Sequence, residues 1–185
     1  MEQPSLRSER LILRPFVSAD ASSVERLAGA REVADTTLSI PHPYPPGAAA
    51  AWIVSHPALW AKRKSVAYAI TLQSTEELVG AISLVINMDH ARAEIGYWIG
   101  LEYWNQGYAT EAGWLVVRFG FEELGLHRIE GHHLVRNPAS GRVLTNLGMR
   151  HEGIHRDAIR KWERFEDIGS YAVLSTDERP SQDGV

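Results

Sequence analysis

IGLEYWNQGYATEA, residues 99–112, leaves a predicted strand and enters a predicted helix. The first N–H groups of a helix have no acceptor inside the helix, and the helix dipole favours negative charge there. Gly107 can adopt a positive φ, so the backbone can approach an anion closely. Ala109 has too small a side chain to obstruct an anion, and Thr110 adds a hydroxyl donor. The stretch predicts a strand–loop–helix unit that binds a pyrophosphate, with a plain turn as the alternative.

Two common phosphate-binding motifs are excluded. No glycine in the chain has another glycine two positions away, so the Gly-x-Gly-x-x-Gly motif of dinucleotide-binding folds cannot occur. No Gly-Lys-Ser or Gly-Lys-Thr occurs either, which excludes a P-loop. Phosphate binding by residues 99–112 would therefore depend on backbone amides at the start of one helix.

The other elements follow from hydrophobic period and turn residues. Strands are predicted at 10–16, 66–73, 78–87, 91–99, 127–136, 149–156 and 168–174, and helices at 19–29, 47–63, 109–124 and 138–147. The strand–helix–strand unit 91–136 is expected to be parallel and right-handed, within an otherwise antiparallel sheet. This order predicts an α/β fold with helices on both faces of a mixed sheet. The C-terminal ends of the parallel pair are the expected ligand site.

Composition limits the function further. The chain has 185 residues, which suggests one domain over residues 1–174 followed by a polar tail at 175–185. Its net charge of −4 disfavours nucleic acid and anionic membranes and is compatible with a cationic partner such as an amine. The absence of cysteine excludes thiol nucleophiles, disulfides and thiolate metal sites. No metal site is expected from the eight histidines.

Neither a secretory signal nor a membrane span is expected. Arg10 and Arg14 bracket the apolar residues 11–13, so the N-terminus has no uninterrupted apolar signal core. No apolar run approaches the roughly 18 residues that a membrane span requires. A cytoplasmic location is the expectation.

Four stretches together resemble the GCN5-related N-acetyltransferases (GNAT), and within them the RimJ/RimL group of ribosomal-protein N-terminal acetyltransferases. They are SERLILRP at 8–15 with Asp20, AEIGYWI at 93–99, WNQGYATEA at 104–112, and NPAS at 137–140 followed by Val143, Leu144 and 147–149. The resemblance runs from about residue 5 to residue 174. It implies a mixed, mostly antiparallel sheet of six to seven strands with one splayed parallel pair.

The resemblance also implies acetyl-CoA as cosubstrate and no metal. It places the cofactor against these residues: Trp98, Ile99, Trp104, Asn105, Gln106, Gly107, Tyr108, Ala109, Thr110, Asn137 and Ser140. One position departs from the superfamily pattern Gln/Arg-x-x-Gly-x-Gly/Ala, because Trp104 stands first. Phosphate binding should then depend more on backbone amides than on an arginine of the loop.

Two residues are expected to be catalytic. Glu94 is the first choice for a general base, directly or through water, and burial on an apolar strand could raise its pKa. A glutamate that is solvated, or salt-bridged to Arg92 or Arg128, is the competing interpretation. Glu163 is a rival base, and His133 a weaker one. Ser140 is expected to stabilise the leaving CoA thiolate by a hydrogen bond, or else to bond only to local backbone. N–H groups near Trp98 and Ile99 are the expected donors to the carbonyl oxygen.

The expected function is acetyl-CoA-dependent transfer of an acetyl group, by direct attack, to a primary amine, with a protein N-terminus as one candidate acceptor. A small-molecule acetyltransferase for a polyamine, amino acid or aminoglycoside is an alternative, and so is a CoA-binding module without activity. The acceptor pocket is expected from residues 31–46, the helix near Trp52, and residues 157–167. The RimL-like resemblance adds a homodimer as a candidate assembly.

Overall fold

The computed structural model describes residues 2–178, so residues 179–185 of the expected tail lie outside the described part. Its strands are β1 Leu6–Arg7, β2 Leu11–Arg14, β3 Ser65–Leu72, β4 Leu78–Asn87, β5 Arg92–Ile99, β6 Arg128–Leu134, β7 Arg150–Lys161 and β8 Arg164–Leu174. Its α-helices are α1 Ala21–Ala28, α2 Arg31–Thr36, α3 Ala48–Ala61, α4 Tyr108–Glu122 and α5 Pro138–Asn146.

The strands form one sheet in the order β1-β2-β3-β4-β5-β6-β8-β7. Only β5 and β6 pair in parallel within the described residues, and every other neighbouring pair is antiparallel. The expected mixed, mostly antiparallel fold is confirmed. The described sheet has eight strands rather than six or seven, because Leu6–Arg7 adds a short edge strand to β2.

Two apolar clusters hold the helices to the sheet. In the larger one, α4 contributes Trp114, Val117 and Phe119, which pack with buried residues of the central strands. The smaller cluster joins α1 and α3 to β3 through buried side chains such as Val24 and Ile53. Removing a buried side chain of this kind typically costs a few kcal/mol, so both clusters secure the elements that border the site.

The parallel pairing is short, and its end opens a cleft in the sheet. It runs only from Arg92 opposite Arg128 to Ile95 opposite Gly131. Beyond that point β5 continues to Ile99 beside β4, whereas β6 continues to Leu134 beside β8. We call this opening the β5–β6 cleft. It is the predicted ligand site at the C-terminal ends of the parallel pair.

Gly131 lets α5 close over this point. A Cβ atom placed there would lie 2.6 Å from a methyl carbon of Leu144 and 3.1 Å from one of Ile95. Leu144 is fully buried on α5, so it has little room to retreat. A residue without a side chain therefore sets the distance between α5 and the cleft.

The long β7–β8 hairpin differs from the sequence expectation. Strands were expected at 149–156 and 168–174, but the strands continue to Lys161 and start again at Arg164. A register shift between His155 and Ile159 interrupts the regular alternation, and most of β7 is exposed. A charged, irregular strand of this kind has no alternating pattern from which its length could be predicted.

No helix within residues 2–178 has both the length and the apolar character needed to span a bilayer.

A buried ion pair fixes the start of α1 to the sheet. Arg14 at the end of β2 donates two hydrogen bonds of 2.8 Å to the carboxylate of Asp20, which also accepts the N–H of Val17. Burial alone would raise the pKa of Asp20, but these hydrogen bonds outweigh it and lower the pKa below its ordinary value.

We expect Asp20→Ala to lower the free energy of unfolding by about 3 kcal/mol, because it leaves Arg14 without its partner in a largely buried place. Urea titration followed by circular dichroism measures this change. Asp89→Ala, at an exposed carboxylate, is the matched control and should stay within about 0.5 kcal/mol of wild type. Equal effects of the two substitutions would contradict the proposed importance of the pair.

Candidate active site

The loop before α4 is shaped by two residues in the left-handed region. Gly107 has φ 81° and Asn105 has φ 60°. The indole Nε1 of Trp104 donates to the carbonyl oxygen of Ile99 at 2.7 Å. Trp104, the residue that differs from the superfamily pattern, therefore folds back onto β5. Gly107 is the N-cap of α4 and no side chain caps the helix. The first N–H groups of α4 therefore remain available to an anion.

Arg10 supports this loop from the far end of the sheet, which sequence reasoning missed. Its Nη1 donates to the carbonyl oxygen of Gln106 at 3.0 Å, and its Nε donates to Glu111 at 2.7 Å. The guanidinium also lies over the Tyr108 ring, 5.0 Å from its centre. A Cβ at Gly107 would stand 3.4 Å from the Arg10 Nη2. The chain thus places an arginine at the loop, from the turn before β2 rather than from the loop itself.

A cavity of about 340 Å³ lies between this loop and α5. We call it the smaller cavity. All the residues that the resemblance assigned to the cofactor line it except Gln106: Trp98, Ile99, Trp104, Asn105, Gly107, Tyr108, Ala109, Thr110, Asn137 and Ser140. Gln106 is exposed, and its side-chain amide donates to the carbonyl oxygen of Glu102 at 3.3 Å.

The N-terminus of α5 joins the cleft to helix α2. Asn137 caps α5 by accepting the N–H of Ser140 at 3.3 Å, and its amide donates to the carbonyl oxygen of Thr36 at 3.2 Å. The hydroxyl groups of Ser140 and Tyr97 are hydrogen-bonded at 2.8 Å. Burial raises the pKa of Tyr97 to about 12, partly offset by this hydrogen bond, so Tyr97 keeps its proton at neutral pH. Tyr97 belongs to the AEIGYWI stretch, but none of its neighbours in the sequence indicates a contact with Ser140.

A second cavity of about 530 Å³ lies on the other side of the cleft. We call it the larger cavity. The residues that border both cavities are Thr36, Thr37, Tyr97, Trp98 and Ser140. The two cavities therefore meet where β5 leaves β6 and where Ser140 and Tyr97 are hydrogen-bonded.

Glu94 lines the larger cavity and faces His132 across the parallel pair. Glu94 Oε1 lies 3.4 Å from His132 Nδ1, and the Glu94 side chain is about half exposed. The interaction with His132 lowers the pKa of Glu94, and burial opposes it. The same interaction with Glu94 raises the pKa of His132, again against burial. The expectation that burial raises the pKa of Glu94 is wrong, because a close histidine outweighs the burial of a half-exposed carboxylate.

The arginines considered as partners for Glu94 bind other acids. Arg128 forms ion pairs with Glu130 and Glu152, and Arg92 lies 3.7 Å from Glu130. Glu94 thus keeps a titratable partner instead of a permanently charged one. His132 carried no signal in the sequence beyond its position beside His133.

Of the other two candidate bases, Glu163 and His133, one borders a cavity. Glu163 is exposed in the turn between β7 and β8 and lines neither cavity. His133 is buried, borders the larger cavity, and its Nδ1 lies 2.7 Å from the carbonyl oxygen of Leu134.

The elements expected to form an acceptor pocket are partly found around the larger cavity. Residues 36–41, Tyr44 and Trp52 line it, as expected for the loop 31–46 and the helix near Trp52. Residues 157–167 do not line it. Lys161 instead donates from Nζ to the carbonyl oxygen of Ile40 at 3.1 Å, so this segment supports the loop from behind.

Backbone alternation identifies an N–H that faces the cleft. The Gly100 N–H donates to the carbonyl oxygen of Val79 on β4 at 2.8 Å. Successive N–H groups of a strand point to opposite sides, so the Ile99 N–H points away from β4 and the Trp98 N–H points toward it. Of the two amides expected as donors, that of Ile99 is therefore on the cleft side of β5, as the Tyr97 amide is by the same alternation. Within residues 2–178, no cluster of three or more metal-binding side chains occurs.

The chain is similar to known acetyltransferases. A family model described as an acetyltransferase (GNAT) domain matches residues 10–150. YoaA of Bacillus subtilis, named an uncharacterized N-acetyltransferase, is 32% identical over 181 residues, which cover 95% of this chain and 99% of YoaA. The crystal structure of a GNAT-family acetyltransferase from Bacillus anthracis is 27% identical with a TM-score of 0.83, over 94% of this chain and all of that one.

A more distant structure shares the fold alone. The ribosomal-protein-S5-alanine acetyltransferase of Vibrio fischeri is 20% identical, with a TM-score of 0.84 over 96% of this chain and 100% of that one.

Proposed function

Because the chain belongs to the GNAT acetyltransferase family, whose members use acetyl-CoA and amine acceptors, we propose that it transfers acetyl to a primary amine where its two cavities meet. The observation that carries this proposal is the shared border of the cavities at Tyr97, Trp98 and Ser140. A thioester in the smaller cavity and an amine in the larger one would come into contact there. Placement within the RimJ/RimL group is part of the proposal and rests on the sequence motifs.

The smaller cavity is the proposed acetyl-CoA site. The pyrophosphate would accept hydrogen bonds from the first amides of α4, beyond Gly107. Arg10 holds the loop in this shape through the Gln106 carbonyl group, and its charge is paired with Glu111. Arg142 of α5 is the arginine that lines this cavity. The pantetheine arm would then pass Asn137 toward the cleft.

The reaction is a direct acyl transfer. The amine nitrogen attacks the thioester carbonyl carbon, a C–N bond forms, and the C–S bond breaks to release CoA. The Ile99 N–H, which points into the cleft, is the proposed donor to the carbonyl oxygen as it gains charge. Ser140 donates a hydrogen bond to the departing thiolate, and the protonated Tyr97 holds the Ser140 hydroxyl in place.

The attacking amine must lose its proton, and the Glu94–His132 pair is the proposed acceptor. A carboxylate with a lowered pKa is a weak base, whereas an imidazole with a raised pKa is better matched to neutral pH. With a proton on Nδ1, His132 donates to Glu94 and leaves Nε2 able to accept. Glu94 thus orients the base and raises its pKa, or accepts the proton itself through water as the sequence suggested.

The overall function is tested by following CoA thiol release with a thiol reagent while a panel of primary amines is added. Release that requires the amine, with the acetylated amine identified by mass spectrometry, supports the proposal. CoA binding by calorimetry without turnover of any amine would favour the CoA-binding module instead.

We expect Gly107→Val to weaken CoA binding by about tenfold or more, equivalent to about 1.4 kcal/mol. A β-branched residue is strained at φ 81°, so the loop must change its shape. Calorimetry with CoA measures the dissociation constant. Gly125→Val is the matched control, because Gly125 also has a positive φ of 67° but lines neither cavity. A comparable loss in both variants would mean that general destabilisation, not the loop, is responsible.

Glu94→Gln should lower kcat by about a hundredfold or more while leaving the CoA dissociation constant nearly unchanged. Glu94 lines the larger cavity only, and its carboxylate acts on the amine side. Steady-state kinetics and calorimetry separate the two effects. Glu163→Gln, which removes an exposed carboxylate at the hairpin turn, should match wild type. Wild-type turnover in Glu94→Gln would remove Glu94 from the mechanism.

The pH profile should depend on His132. The Glu94 interaction raises the pKa of His132 above its ordinary 6.5, while burial and Arg128 lower it and Glu130 raises it. His132 can accept a proton only when neutral, so kcat/KM should rise with pH through a value above 6.5. In Glu94→Gln the pKa of His132 should fall, and the residual activity should rise at lower pH. The same amine is used for both proteins, which cancels its own titration; coincident profiles would exclude His132 as the base.

A further inference from the structure

From the walls of the larger cavity we infer the acceptor class: a primary amine with a single positive charge, attached to an apolar body of aromatic size. The inference rests on the proposed function, because it treats this cavity as the acceptor site. Three features support it: the single carboxylate of the cavity, its mostly apolar wall, and the hydrogen bonds that fix the loop at 36–41.

The cavity offers one carboxylate. Among the described residues that line it, Glu94 is the only acid. Acids on the flanking elements have other partners. Asp35 and Glu166 are both bound to Arg136 at 2.9 Å. Glu130 is paired with Arg128, and Glu25 accepts the N–H of Gly47. A second ammonium group would therefore enter without a partner, and burying an unpaired charge costs several kcal/mol. Polyamines and aminoglycosides carry two or more such groups.

The rest of the wall is mostly apolar. The aromatic side chains of Tyr44, Trp52 and Trp98 line the cavity, together with aliphatic ones such as Val24 and Ile40. An ammonium bound at Glu94 would have its substituent against these groups. Burial of apolar area contributes roughly 25 cal/mol per Å², so a hydrocarbon body gains binding free energy that a polar one does not.

The side chains that pack behind Trp52 carry no charge at neutral pH. The Trp52 ring packs against Phe16, with 5.0 Å between ring centres, and against His56 at 4.4 Å. His56 is buried, and neither of its ring nitrogens has a hydrogen-bond partner among residues 2–178. Burial lowers the pKa of His56 to about 4, so the ring is neutral and behaves as part of an apolar wall.

An apolar side chain is also exposed at this cavity. Val85 lines it from β4, directly opposite Glu94 in the β4–β5 register, and is 60% exposed. An exposed aliphatic side chain beside a lone carboxylate suits an amine whose charge and apolar body are adjacent.

The loop side of this wall is held from several directions. Lys161 donates to the Ile40 carbonyl oxygen, Asn137 donates to Thr36, and Arg136 binds Asp35. The loop at 36–41 therefore contributes a fixed surface, and specificity can be built into the cavity before a substrate binds.

A free arylalkylamine and a peptide with an aromatic first residue share this chemistry, so the test includes both. Tryptamine and phenethylamine represent the first, and the peptides Phe-Gly-Gly and Arg-Gly-Gly are compared for the second. Spermidine and kanamycin represent polycations. We expect kcat/KM for the apolar monoamines or for Phe-Gly-Gly to exceed that for either polycation by about tenfold or more. Among the peptides, Phe-Gly-Gly should be preferred to Arg-Gly-Gly.

Each outcome decides the inference. Spermidine or kanamycin turned over as well as the monoamines and Phe-Gly-Gly would overturn it, while amine acetylation itself would stand. Thiol release with none of the amines, despite CoA binding, would overturn the proposed function as well. Preference for tryptamine over Phe-Gly-Gly identifies a free amine as the acceptor, and the reverse preference identifies a peptide N-terminus.

A charge substitution provides a second test. Ser39 is exposed on the loop and lines the cavity, so Ser39→Glu supplies a second carboxylate without disturbing the core. The ratio of kcat/KM for spermidine to that for tryptamine should increase about tenfold. Val54→Glu makes a similar charge change at a 72%-exposed position of α3 that lines neither cavity, and should leave the ratio unchanged. Equal ratios in the two variants and wild type would overturn the inference.

Discussion

The early end of the parallel pairing between β5 and β6 is the constraint on which the site depends. Four residue pairs hold the strands together, and after Ile95 and Gly131 each strand keeps only its antiparallel neighbour. Backbone groups that a continuous sheet would use in its ladder, such as the Ile99 N–H, then face a cleft. A ligand that enters can take the place of the missing strand contacts. The smaller and larger cavities are the two sides of this opening.

The two sides of the cleft differ in the charge of the ligand that they suit. On one side, Gly107 and Arg10 present the start of α4 to an anion, with no acidic cap in competition. On the other, Glu94 is the only carboxylate among the described lining residues, it is paired with His132, and the wall is mostly apolar. The proposed anion-binding and amine-binding halves therefore meet at β5. Tyr97 and Trp98 lie on that strand and border both halves.

Local rules predicted the parts of the site that depend on neighbouring residues in the chain. Gly107 needs a positive φ, and Asn137 followed by Pro138 is a helix start, so both positions could be assigned without a fold. The family motifs added the sheet type and the residues around the smaller cavity. They did not indicate the two-residue strand β1 or helix α2, because segments this short carry too little hydrophobic period.

The contacts that tune the chemistry depend on register between distant strands, which the sequence does not display. Arg10 reaches the loop from a turn about a hundred residues earlier, and His132 meets Glu94 only because of how β5 aligns with β6. The error in the pKa of Glu94 has the same origin. Burial could be estimated from an apolar strand, whereas the partner that outweighs it belongs to another strand.

The pairing of one acid with one histidine also links proton transfer to acceptor choice. When His132 is protonated, the pair is neutral and has little attraction for an ammonium group. When His132 is neutral, Glu94 leaves one net negative charge in the larger cavity, and an imidazole is available as a base. The state that attracts a single cation is therefore the state that can deprotonate it. A second carboxylate beside Glu94 would strengthen binding of polycations, but it would raise the pKa of His132 further and keep the base protonated at neutral pH. The lone carboxylate is thus consistent both with an apolar monoamine and with a base that works near neutral pH.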